Sequence, residues 1–102
     1  MFENLLTAIT YHDQQIASRN LSKKLGLKET LVLYAMAKGE TISNESSPNT
    51  KLLMVLEGRL LLTKDEDSQL LEANSLTTIP ANQRHHLKAD TNTKLLQLEL
   101  PD

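Results

Sequence analysis

From Gln14 onward the chain is written in short apolar or alternating runs, cut by turn residues roughly every eight to twelve positions. That punctuation leaves no room for long helices and demands an all-β sandwich or barrel. "QQIASRNLS" reads as a first strand. "KETLVLYAMA" carries β-branched, aromatic and aliphatic residues on both parities, as in a strand covered on both faces. Lys38-Gly39-Glu40 breaks it, "TIS" resumes briefly, and "NESSPNT" is a loop by composition. "KLLMVLE" and "RLLLTK" then flank Gly58, where the backbone must take a conformation that a side chain would resist. "DEDS" is a solvated hairpin tip. "QLLEA", "SLTTIP" ending at Pro80, "HHLKAD" and "KLLQLEL" complete the strands. The last puts Leu96, Leu98 and Leu100 on one face and Gln97 and Glu99 on the other. Ahead of all these, "FENLLTAITY" spaces Phe2, Leu5, Leu6 and Ile9 for one or two turns of amphipathic helix. The expectation is a single domain over 1–102: a helical brace over 1–12, a β-barrel over 13–100, and no helix after residue 12.

Composition narrows the function classes. With no cysteine the 102 residues offer no disulfide, thiolate nucleophile or cysteine-ligated metal. A net charge of −2 with eleven scattered basic residues gives no footprint for nucleic acid, and no apolar run reaches membrane-spanning length. The start "MFENLLTAITYHD" lacks the pattern of a secretory leader, so a cytoplasmic location is expected. The aromatics Phe2, Tyr11 and Tyr34 are too few for a stacking platform, which points any ligand toward a small polar or aliphatic molecule.

Two segments together carry a family resemblance. "AKGETISNESSPNTKLLMVLEGRL", Ala37 to Leu60, sets a Gly before a polar loop and a strand ending in Val55-Leu56-Glu57-Gly58. "LLEANSLTTIPANQRHHLKA", Leu70 to Ala89, is similar to a Pro-x-Gly-x-x-His motif. With the lead-in "LTAITYHDQQIASRNL", nearly the whole chain resembles a small single-domain cupin. The resemblance implies a double-stranded β-helix, the cupin or jelly-roll barrel, with a short N-terminal helix. Asn49, Asn74 and Asn82 stand where such cupins commonly carry glycine, and asparagine is the side chain that best tolerates a left-handed backbone.

The family's first motif supplies His-x-His and a Glu, the second one more His, and together they bind a divalent metal inside the barrel. Carried onto this chain by resemblance, those roles fall on Glu45, Ser47, Lys51 and His85. Only His85 keeps the ligand type. A serine hydroxyl is a poor transition-metal ligand, and an ammonium has no lone pair and repels the cation. Glu45 and His85 remain as possible ligands, and two donors do not close a coordination shell. Glu45 and Lys51 could instead form an ion pair in the space the metal takes in relatives. Strand parity separates the two adjacent histidines: His85 shares its face with Leu87 and Ala89 and points inward, whereas His86 lies on the surface face with Lys88 and Asp90. His12 is expected on the surface, Tyr34 and Met36 in the packing, and Arg84 solvated at the barrel mouth.

The reading is a metal-independent binding or sensing module that holds a small polar metabolite near Glu45, Ser47, Lys51 and His85, with no catalytic residue and no cofactor. The alternative is a metal-dependent cupin enzyme, an isomerase or dioxygenase, with a reduced ligand set. A homodimer is expected, because a small barrel has open sheet edges and Leu31 to Met36 is apolar on both parities.

Overall fold

The computed structural model of the protein describes residues 1–101, apart from the side chain of Asn44. The nine strands are β1 (Ile16–Asn20), β2 (Leu31–Met36), β3 (Thr41–Glu45), β4 (Thr50–Glu57), β5 (Arg59–Lys64), β6 (Asp67–Glu72), β7 (Leu76–Ile79), β8 (His85–Ala89) and β9 (Thr93–Leu100). They form a five-stranded sheet in the order β1-β2-β9-β4-β7 and a four-stranded sheet in the order β3-β8-β5-β6. All pairings are antiparallel. The double-stranded barrel expected from the strand punctuation is therefore the observed fold.

Period-two alternation builds the interior. Leu53 and Val55 of β4, Leu60 and Leu62 of β5, Leu71 of β6, Ile79 of β7, Leu87 and Ala89 of β8 and Leu95 of β9 meet between the sheets with Met36. The chain passes from one sheet to the other at Gly58, where φ is +85°. A Cβ there would lie 2.1 Å from the Asn92 carbonyl oxygen, so the corner closes only on a glycine.

A second apolar layer lies on the outer face of the larger sheet. Leu33 and Ala35 of β2 are fully buried there beneath Phe2, Leu5, Ala8, Ile9 and Tyr11. This explains why β2 reads as apolar on both parities. The brace is less helical than its spacing predicts: only Leu5–Thr7 forms a 3-10 turn, with Asn4 Oδ1 accepting from the Leu6 N–H. Polar anchors hold the rest. The Tyr11 hydroxyl donates to Glu57 at 2.7 Å, and Lys94 Nζ donates to the Leu6 carbonyl.

Two sequence expectations need correction. A short helix, α1, does occur after residue 12, at Ser22–Leu25. Four residues are too few to show a helical period. Its cause is local hydrogen bonding: Asn20 Oδ1 accepts from the Ser22 N–H, Ser22 Oγ bridges Glu29 O and Leu31 N, and Gly26 ends the turn at φ +70°. Of the three asparagines, Asn74 (φ 72°) and Asn82 (φ 64°) are left-handed, but Asn49 is not, since its turn is closed by its N–H donating to Ser47 Oγ. Gln14 and Asp65 take left-handed conformations instead, Asp65 at the tip of the β5–β6 hairpin. Among the described residues no helix is long and apolar enough to cross a membrane.

Candidate functional site

One end of the barrel is polar inside. From the four-stranded sheet, the cross-strand row Glu45–His85–Lys64–Asp67 runs across β3, β8, β5 and β6. Lys64 reaches across to the opposite sheet, where its ammonium donates to the Thr78 carbonyl at 3.0 Å. From the five-stranded sheet come Lys51 and its cross-strand neighbour Glu99.

Glu45 owes its inward position to a bulge. Ile42 packs on the core and pairs with Leu87, while Glu45 pairs with His85. Three residues of β3 thus span two of β8, and the extra residue returns Glu45 to the inward row that strict alternation would deny it.

The three groups converge on one oxygen. Lys51 Nζ lies 3.5 Å from Glu45 Oε2, and His85 Nε2 lies 3.8 Å from the same atom. Lys51 and His85 are buried, at 7% and 3% exposure, on strands paired on both sides; the Glu45 side chain is 45% exposed on an edge strand. The fixed members are therefore the ammonium and the imidazole, and the carboxylate is the one with room to move.

His85 is oriented by its other nitrogen. Nδ1 lies 3.1 Å from the Gln83 carbonyl oxygen, which can only accept, so the proton assignment that satisfies both places N–H at Nδ1. Among the described residues Nε2 has no hydrogen-bond partner; it is buried and faces Glu45 at a distance too long for a hydrogen bond.

Ser47 stands beside this trio rather than in it. Its hydroxyl donates to Glu99 Oε1 at 3.3 Å, and its carbonyl accepts from the Asn82 N–H. Glu99 is thus a member of the polar end that sequence reasoning missed; Tyr34 packs against the core cluster, as expected. Burial, then the charges of Glu45 and Glu99, push the Tyr34 phenol up, so its hydroxyl keeps its proton. A pocket of about 260 Å³ is lined by Thr63, Asp65, Arg84, His85 and His86. Arg84 and His86 line this mouth pocket and stand outside the trio.

A divalent metal does not fit these residues. The position beside the Glu45 oxygen is held by an ammonium, which cannot coordinate. Among the described residues no three His, Asp or Glu side chains are placed to hold a metal ion.

Two antiparallel sheets, of five and four strands, make a jelly-roll type of barrel. A family model for the cupin domain matches residues 32–100, and the chain belongs to the cupin family. Three solved structures share its fold. A cupin superfamily protein from Desulfitobacterium hafniense is 24% identical over 92% of this chain and 84% of its own, with a TM-score of 0.83. A conserved protein of unknown function from Streptococcus pyogenes is 21% identical over 100% of this chain and 89% of its own, with a TM-score of 0.89. A cupin 2 conserved barrel domain protein from Leptotrichia buccalis is 25% identical over 96% of this chain, with a TM-score of 0.87; this chain spans 47% of that protein. No curated protein matches the chain.

Proposed function

We propose that the protein is a metal-independent binding or sensing module that holds a small polar metabolite at the inner end of its barrel. The reading rests on one observation: a buried ammonium and a buried imidazole nitrogen, unpartnered among the described residues, both face the half-exposed carboxylate of Glu45. Buried polar atoms are normally satisfied, and a vacant one aimed into a cluster of charged groups supports a role in ligand contact. Tyr34, Glu99 and Ser47 extend the set of donors and acceptors that a polar ligand would meet. A thermal-shift screen of small polar metabolites tests this. Binding to the native state alone raises stability by about 2.7 kcal/mol at a hundredfold excess over Kd. At least one compound should raise the melting temperature by several degrees, and His85→Gln should abolish the shift. A shift that survives His85→Gln would place the ligand elsewhere, and the absence of any shift would count against the reading.

The protein as purified should contain far less than one equivalent of zinc, iron, manganese or nickel. Near one equivalent, released on His85→Ala, would overturn the metal-independent assignment.

The functional unit we propose is a homodimer. On the outer face of the five-stranded sheet, the cross-strand rows Leu31–Leu98–Leu52 and Leu33–Leu96–Met54–Leu76 form an apolar surface that the N-terminal brace covers only at its Leu33 side. Leu76 is 59% exposed. A contiguous apolar face of this kind suits a second copy of the chain, whose interface would be largely apolar. Light scattering should give about twice the chain mass of 11.4 kDa. His85→Gln should leave that mass unchanged. A mass near one chain would refute the dimer.

A further inference from the structure

The disagreement between the family's metal chemistry and these side chains leads to a more specific statement about the site, one that rests on the metal-independent reading above. We infer that Lys51 is the site's own cation: its ammonium holds the place and the charge that a divalent ion holds in metal-binding relatives, on the Glu45 oxygen that His85 also faces.

Three features carry this. The first is the orientation of His85. An imidazole whose Nδ1–H is tied to a backbone carbonyl presents Nε2 as a lone pair with a fixed direction, which is the arrangement that prepares a histidine to bind a cation. No group among the described residues accepts that offer, since Nε2 has no hydrogen-bond partner there. The second is the bulge in β3, which turns a carboxylate onto the same spot, so that an imidazole nitrogen and a carboxylate oxygen stand 3.8 Å apart. Two acceptors so placed repel each other unless positive charge lies beside them. The third is Lys51, which supplies that charge from a different sheet, with Nζ 3.5 Å from the shared Glu45 oxygen and the side chain 8% exposed.

An ammonium differs from a metal ion in a way that matters for the ligand. It offers N–H donors and charge, with no vacant orbital, so a ligand is held by hydrogen bonds and exchanges without breaking a coordinate bond. It also repels any ion that would enter between Glu45 and His85. Replacing Lys51 with a ligand residue should remove the repulsion and raise the donor count from two to three in one step.

The test is a titration of wild-type protein, Lys51→His and Lys51→Glu with Co²⁺, followed by the visible absorption of the bound ion. Wild type is expected to show no saturable band. At least one variant should take one equivalent, with Kd at least ~100-fold lower than any wild-type binding, in line with the large effect that single ligands and their supporting groups have on metal affinity. Adding His85→Gln should abolish the band. A variant that is unfolded without metal but folds when Co²⁺ is added shows the same gain, because binding and folding are linked. Wild type binding Co²⁺ as tightly as the variants would overturn the inference. So would variants that take up no Co²⁺, whether they remain folded or fail to fold in its presence. The metabolite screen is independent of this result: a shift lost in His85→Gln together with no metal gain would sink the resident-cation inference and leave the binding module standing. Metal gain with no metabolite shift would do the reverse.

Discussion

Gly58→Ala is expected to lower the melting temperature by more than about 12 °C, the largest effect of any single-methyl change in this chain. Two costs add. The backbone at Gly58 sits at φ +85°, which an L side chain takes only with strain of order 1–3 kcal/mol. The new methyl would also lie 2.1 Å from the Asn92 carbonyl oxygen and 2.9 Å from Thr93 Oγ1. Neither atom is free to retreat. Thr93 is fully buried, and its hydroxyl oxygen lies 2.8 Å from both the Arg59 and Thr91 carbonyl oxygens, which share its one proton. Arg59 is tied to the same turn, through its N–H to Thr91 Oγ1 and its carbonyl to the Asp90 N–H. Moving Asn92 therefore disturbs the corner by which β4 feeds β5. A total of about 3–5 kcal/mol follows, in the class reserved for backbone strain and overpacking. In a domain of this size each kcal/mol moves the midpoint by roughly 4–8 °C. Thermal or urea unfolding measures it; a loss below about 1 kcal/mol would mean that the corner relaxes at little cost.

Leu95→Ala is the second large effect. Leu95 lies fully buried on β9, between Tyr34 of β2 and Val55 of β4, and both of those pack in the same core cluster. β9 is paired on both sides, so the backbone cannot shift to fill the cavity. The expected loss is about 2–5 kcal/mol by the transfer and cavity costs of buried leucine. Leu70→Ala, at a side chain 47% exposed on β6, should cost less than about 1 kcal/mol. Equal losses at the two positions in urea titrations would show that the barrel interior has been assigned to the wrong parity.

The barrel was legible in the sequence because its strands are short, apolar and divided by turn residues. Gly58 announced a tight turn or bend, which the structure makes a corner between sheets, and simple alternation put His85 inside, where it lies 3% exposed with Leu87 and Ala89. Parity failed where the ladder is irregular. Glu45 follows Ile42 by an odd number of residues, and nothing in "TISNE" declares the bulge that turns it inward. Glu99 escaped notice for the opposite reason. Beside the leucine stripe of β9, Gln97 and Glu99 look like a solvated face, yet they are the inward side, with Gln97 buried and Glu99 bonded to Ser47. Sequence hydropathy orders faces by polarity, and here the sheet turns its apolar stripe outward and its polar one toward the site. Helix α1 was lost to its length alone.

The extra residue in β3 makes the site sensitive to chain length as well as to composition. Removing one residue between Ile42 and Glu45 would leave Glu45, Lys51 and His85 all present and would turn the carboxylate to the outside of the barrel. Lys51 would then lose the carboxylate it pairs with and keep Glu99 as its cross-strand neighbour. A single codon lost at this edge strand would therefore take one negative charge out of the barrel's inner end. Because β3 pairs on one side only, the rest of the ladder need not move. Homologous barrels with identical site residues but unequal β3 lengths would differ in the charge of their inner ends.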